Sequence, residues 1–283
     1  MIKKKFMVDV TSVGDVNVDI LTEPIDEIGE GEQKIVEEIK IKVGGGAANF
    51  AIWLNNLGMK VRLIGLIGND YFGNFIKEQL KQTGLDIKLK TISERTGITF
   101  GIQFKDGSKK LITYRGTNKL LSLEHIKVSD IEGDVVYFSG YNLLESLKKG
   151  LPTLLEELKN NDKVISLDPD LKAGVRFDKN EFFKVAKFVD VMFLNEKEAS
   201  LIAKNLDWFK GRTIVIKRGK NGAYAIENGE KAEVNGIQAE IRNPTGAGDV
   251  FNAAFIHHYY YGYDLKECLE FANEQAVKYL QTF

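Results

Sequence analysis

The chain has 283 residues, 43% of them hydrophobic and 28% charged, the balance of a globular protein long enough to bury a large core. Lys plus Arg number 39 and Asp plus Glu 40, and this near-neutrality removes the bulk attraction on which a nucleic-acid coat or a membrane-surface protein relies. The single cysteine, Cys268, excludes an intramolecular disulfide and argues against a cysteine-based zinc site.

The basic start, residues 1–6, leads into Asp9 rather than into an apolar run, so no signal peptide is expected. No apolar stretch approaches the ~18 residues of a membrane span, and a cytoplasmic protein is the expectation. Residues 8–13 read as a buried strand ending at Gly14-Asp15, and residues 35–43 alternate apolar and charged side chains as a half-exposed strand does. Gly44-Gly45-Gly46 breaks that pattern. Residues 47–57 have helical spacing, with Phe50, Trp53, Leu54 and Leu57 on one face and Gly58 as the stop. A second buried strand is predicted over 61–67 and a helix over 71–83. Strands 98–104 and 111–115 flank Lys105-Asp106-Gly107-Ser108, where Asp-Gly is a hairpin signal.

From there short buried strands (135–139, 164–168, 191–195, 213–217) alternate with helical stretches (146–159, 181–188, 196–204), and two helices (250–260, 265–280) close the chain. Such alternation makes βαβ units and a parallel sheet covered by helices. The expected architecture is one α/β domain over residues 1–283 with a small β excursion from about 16–43 and 97–118. Ligands bind such sheets outside the carboxyl ends of the strands, so Asp15, Asp168, Asn195 and Lys217, all at or just past strand ends, belong to one crevice.

Two segments carry the chemistry. In Asn243-Pro244-Thr245-Gly246-Ala247-Gly248-Asp249, Gly246, Ala247 and Gly248 have almost no side chains, so their backbone N–H groups can approach an anion at the positive end of the helix they open. Asp249, in the first turn, can accept the proton of an attacking hydroxyl; the plainer reading is a helix-stabilising acid after a tight turn. In Gly44-Gly45-Gly46-Ala47-Ala48-Asn49, glycines again lead into a helix. The dinucleotide fingerprint is absent, since its third glycine would fall at Asn49, and no Walker loop occurs in the chain. His125, His257 and His258 lack the spacing of a metal triad, and His257 and His258 read as a packing helix face.

In this order and spacing the two segments resemble the signatures of the ribokinase-like (PfkB) family of carbohydrate and nucleoside kinases. Gly14-Asp15-Val16-Asn17-Val18-Asp19, Asn195-Glu196-Lys197-Glu198 and Lys217-Arg218-Gly219-Lys220-Asn221-Gly222 are similar to further family motifs, so the resemblance covers nearly the whole chain. It implies a three-layer α/β/α fold with a mainly parallel central sheet and a small β-sheet lid, and ATP-dependent phosphorylation of a hydroxyl with Asp249 as base and Gly246, Ala247 and Gly248 as the anion site. It further implies that Asn17, Asp19, Gly44, Gly45 and Asn49 hold the substrate, that Asn195 and Glu198 organise Mg²⁺ through water, and that Lys217, Gly219, Gly222, Gly248 and Asn273 line the ATP site. Family members pair through the lid, and the alternating 35–43 strand, with Ile35, Ile39, Ile41 and Val43 on one face, suits a homodimer there.

Two departures count against activation by K⁺: Asn243 stands where the family signature begins with Asp, and the chain ends at Phe283, ten residues after Asn273. Arg115 resembles the arginine with which 2-keto-3-deoxygluconate kinases meet a carboxylate, though bracing the hairpin fits it equally. Lys172 stands where relatives often carry Arg. A sugar or sugar acid leads as substrate, with nucleosides and cyclic polyols behind. The competing readings are a non-catalytic sugar or nucleotide sensor, which the intact Asp249 disfavours, and a dinucleotide-dependent oxidoreductase, which the missing fingerprint disfavours.

Overall fold

The computed structural model describes residues 8–171, 175–202, 211–239 and 245–281. Its large sheet has nine strands: β1 (Val10–Val13), β4 (Val61–Gly68), β5 (Asp86–Ile92), β8 (Val135–Ser139), β9 (Val164–Asp168), β10 (Val191–Asn195), β11 (Thr213–Lys217), β12 (Ala223–Glu227) and β13 (Glu230–Val234). Their order is β13-β12-β11-β10-β9-β8-β1-β4-β5. The seven strands from β11 to β5 pair in parallel, and β12 and β13 add an antiparallel edge. The inner strands β4, β8, β9, β10 and β11 are mainly apolar because both of their faces are covered.

Along each strand successive side chains go to opposite faces. Val61, Leu63 and Ile67 pack with α1 (Gly46–Asn56), α2 (Tyr71–Lys81), α6 (Ala247–Tyr260) and α7 (Leu265–Gln281), through Phe50, Ile76, Phe255 and Leu269 among others. Ile64 and Leu66 face the other way, toward α3 (Leu151–Asn160), α4 (Lys179–Ala186) and α5 (Glu196–Ile202), through Leu155, Phe182 and Ile202. The result is the expected three-layer α/β/α fold. From β1 the chain builds outward in both directions, to β4 and β5 on one side and to β8 through β13 on the other. That reversal makes the carboxyl ends of β1 and β8 the place where an open sheet leaves a crevice.

Four strands stand apart in a second sheet of order β3-β2-β6-β7: β2 (Asn17–Thr22), β3 (Ile39–Gly44), β6 (Gly97–Gln103) and β7 (Lys109–Tyr114). Register sorts its two faces. Asp19 pairs with Lys42 and Thr99, and Thr99 with Thr113, giving a polar row. One residue along, Ile20 pairs with Ile41 and Phe100, and Phe100 with Ile112, giving an apolar row on the opposite face. The alternation expected over 35–43 is present from Ile39 onward; Ile35 precedes the strand and is exposed. Three features were not anticipated. Helix α3 begins at Leu151, with Pro152 in its first turn, and not at Ser146. Strand β5 and the β12–β13 hairpin complete the edges of the large sheet.

Candidate active site

The crevice at the carboxyl ends of β1 and β8 is a cavity of about 740 Å³. Asp15, Asn17, Asp19, Gly45, Asn49 and Arg115 border it on the side of the small sheet, whose polar row faces inward with Thr99 and Thr113. Asn195, Glu198 and Lys217 border it from the ends of β10 and β11, and Gly246, Gly248 and Asp249 from the start of α6. Gly44 lies behind this wall. A side chain there would place Cβ 2.2 Å from the Asp19 carboxylate, so glycine is what leaves Asp19 its position.

A second cavity, of about 420 Å³, lies between β11 and α7. Gly219, Gly222, Ala247 and Asn273 line it, with Ile237, Phe251, Val277 and Leu280 as apolar walls. Lys217 and Gly248 belong to both cavities. The Asn273 amide donates to the Asn235 carbonyl at 2.8 Å, which ties α7 to the loop after β13.

Helix α6 opens at Gly246, whose φ of 98° lies in the left-handed region that glycine adopts without strain. The Gly246 carbonyl accepts the N–H groups of Asp249 and Val250 at 3.0 Å each, while those of Ala247 and Gly248 open the helix and have no intrahelical carbonyl to bond. Asp249 lies beside them, open to the crevice and enclosed by protein elsewhere. Asn49 Nδ2 donates to Asp249 Oδ2 at 2.9 Å, joining the two glycine-led motifs of the sequence. Burial pushes the Asp249 carboxyl up to about 7; Asp168 adds to the rise, and the Asn49 hydrogen bond and Lys217 oppose it.

Behind this surface runs a network that motif reading missed. Lys217 Nζ donates to Asp168 Oδ2 at 2.9 Å and to Asn252 Oδ1 at 3.0 Å. Asn252 Nδ2 in turn donates to Asp168 Oδ2 at 2.7 Å and to the Tyr137 hydroxyl at 3.0 Å. The signal for Asn252 was present: it is a polar residue three after Asp249, inside the otherwise apolar Val250–Ile256 run. On the small-sheet side, Arg115 forks onto the Asp15 carboxylate and also donates to the Leu143 carbonyl at 2.9 Å, so its guanidinium has an internal partner. Asn118, also missed, holds Asn17 and the backbone of Val16.

Glu198 Oε2 accepts the Asn195 N–H at 2.8 Å, and Asn195 Oδ1 accepts the Glu198 N–H at 3.0 Å. That is a capping box; Glu198 Oε1 takes the Leu171 N–H at 2.9 Å. Burial first, then Asp168, raises the Glu198 carboxyl to about 7. Each of its oxygens retains a lone pair. Among the described residues no group of three or more His, Cys, Asp or Glu is placed to hold a metal. That donor set fits an ion such as Mg²⁺, which keeps several waters and draws its other ligands from phosphates, and does not fit a cage made wholly of protein. Asn243 and Lys172 lie outside the described residues.

The profile of the pfkB family of carbohydrate kinases matches residues 7–282. The chain belongs to the pfkB carbohydrate kinase family. Among curated pfkB-type relatives, a 5-dehydro-2-deoxygluconokinase of Clostridium botulinum is 28% identical over 83% of this chain and 77% of its own length. An ATP-dependent ribose-1-phosphate kinase of Halopiger xanaduensis is 28% identical over 94% of this chain and 90% of its own. Among solved structures, a candidate ribokinase II from E. coli in complex with ATP and Mg²⁺ superposes with a TM-score of 0.82 at 22% identity, over 98% of this chain and 94% of that one. A nucleoside kinase from Methanocaldococcus jannaschii superposes with a TM-score of 0.78 at 21% identity, over 98% and 93%. These superpositions establish the shared ribokinase fold. Among the described residues no helix is long and apolar enough to cross a membrane.

Proposed function

We propose that this sugar kinase transfers the γ-phosphoryl group of ATP to a hydroxyl of a sugar or sugar acid, with Asp249 as the general base. The observation that carries the reading is the position of Asp249. Its carboxyl, raised to about 7, stands beside the first N–H groups of a helix, which have no intrahelical partner, in a cavity whose other wall offers Asp15, Asn17 and Asp19. Those three side chains supply the donors and acceptors that sugar hydroxyls need. The apolar cavity between β11 and α7 suits a nucleobase, and Lys217 and Gly248 lie where the two cavities meet.

In the reaction the substrate hydroxyl gives its proton to Asp249 as its oxygen bonds to phosphorus. The bond from that phosphorus to the β–γ bridging oxygen breaks, and ADP leaves with the electron pair. The N–H groups of Ala247 and Gly248 stabilise the charge that gathers on the transferring group. Asn195 and Glu198 would hold Mg²⁺ through water, where it would neutralise phosphate charge. The small sheet, with its polar row toward the cavity, acts as a lid that excludes water.

A panel assay of ATP consumption tests the reading. It should include 5-dehydro-2-deoxygluconate and ribose 1-phosphate, named by the relatives, beside neutral sugars, polyols and nucleosides. Turnover with a sugar or sugar acid is expected. ATP binding without turnover on any member would instead indicate a sensor, and turnover only with nucleosides would move the substrate class. Because the Arg115 guanidinium is already paired with Asp15, a neutral sugar is expected to compete well with a sugar acid.

The apolar row of the lid leads to a further expectation. Ile41, Phe100 and Ile112 are 50%, 49% and 69% exposed, and a second copy of the same sheet would cover them by two-fold pairing. A homodimer is expected in sedimentation at micromolar concentration, and Phe100→Asp should shift it to monomer. A monomeric wild type would overturn this arrangement.

A further inference from the structure

We propose that the Lys217 ammonium is a catalytic group that binds the phosphoryl group in transit, and that Asp168 and Asn252 are positioning residues that hold it there. This rests on the ATP-dependent transfer proposed above. Lys217 ends β11 and, with Gly248, borders both cavities. A molecule with its base in the apolar cavity and its reacting end in the crevice must pass this junction. A Cβ at Gly248 would lie 3.6 Å from Lys217 Nζ, so the ammonium stands directly over the backbone at the start of α6. A fixed cation and the helix-start N–H groups, which have no intrahelical partner, therefore converge on one spot.

The hydrogen-bond count agrees. An ammonium has three donors. Two go to Asp168 Oδ2 and Asn252 Oδ1, and the third has no acceptor among the described residues. Asn252 cannot turn to present its amide nitrogen to Lys217, because that nitrogen is committed to Asp168 and the Tyr137 hydroxyl. Asn252 is fully buried, which fixes the arrangement. Burial disfavours the Lys217 charge, but Asp168 outweighs it and holds the group protonated above its ordinary range. Lys217 thus keeps its proton and cannot serve as the base, a role left to Asp249. As the oxygen–phosphorus bond forms and the β–γ bridge breaks, negative charge gathers on the transferring oxygens. A preset cation in a site shielded from water acts on that charge without reorganising.

The test is Lys217→Met, read by kinetics and by nucleotide binding. Turnover is expected to fall about 10²–10³-fold, as when one preset donor to a developing charge is removed. Calorimetry should show ADP binding within about threefold of wild type while a non-hydrolysable triphosphate analogue, which carries the γ-phosphoryl, weakens about tenfold or more. Asn252→Ala should show the same split at smaller size, whereas a merely structural residue would weaken both nucleotides alike. Should the unpaired Asp168 carboxylate prevent folding of Lys217→Met, the double variant Lys217→Met/Asp168→Asn removes both charges and carries the same expectation. Equal weakening of ADP and the analogue, or turnover within about threefold of wild type, overturns the assignment. Asp249→Asn run alongside separates the two claims: loss of activity there with activity kept in Lys217→Met would leave the transfer reading standing and remove Lys217 from it.

Discussion

Replacing Asp249 with Asn is expected to lower kcat by about 10²–10⁴-fold while ATP binding persists, since that is the range a positioned general base contributes. The substitution keeps the shape and the hydrogen bond from Asn49, so only the proton acceptor is lost. Turnover within a few-fold of wild type would refute the role. The wild-type pH profile is a second readout. With the carboxyl at about 7, the base is protonated below neutrality, so kcat/KM should climb with pH to about 7 and level off above it. In the unfolded chain the group ionises near 3.8. Above about pH 7 the folded protein therefore carries a buried charge that the unfolded chain holds in water, a cost to folding that shrinks as pH falls and is absent below about pH 4. The amide has no such charge. Asp249→Asn should melt above wild type at pH 8, with the gap closing toward pH 4, so one substitution should lower activity and raise stability.

Asp19→Ala should raise the KM for the sugar by about 5- to 150-fold, the equivalent of the ~1–3 kcal/mol lost when a buried polar ligand loses a partner. The KM for ATP should stay nearly constant. Asp19 is 3% exposed, in the polar row that faces the crevice, and does not line the apolar cavity between β11 and α7. Parallel rises in both KM values would mean that Asp19 acts on folding or lid geometry and not on the sugar.

The sequence exposed the parallel strands most clearly, because β4, β8, β9, β10 and β11 are covered on both faces and read as mainly apolar runs. Strand β5, Asp-Ile-Lys-Leu-Lys-Thr-Ile, sits at the sheet edge, where its charges reach solvent and its pattern is diluted. The β12–β13 hairpin carries a two-residue turn signal at Asn228-Gly229, but the charged residues of β13, Glu-Lys-Ala-Glu-Val, dilute its strand pattern. Alternation in β3 revealed two faces yet not their destinations. Which face meets the crevice is decided by the register with β2, a long-range property. Glycine-led motifs exposed the site because close backbone approach needs glycine locally. Asn252 and Asn118 were hidden because their importance lies in partners more than 80 positions away.

The hydrogen bond from Asn49 to Asp249 spans 200 positions of chain. Helix α1, which carries Asn49, packs against α6, which carries Asp249, and β1 lies between β4 and β8, both made after it. During synthesis at roughly 5–20 residues per second, the 200 positions between Asn49 and Asp249 take about 10–40 s to make, so the proposed sugar-facing wall is made well before the proposed base and anion site. A partly made chain can thus form much of the large sheet while the phosphoryl-transfer centre proposed above still lacks Asp249.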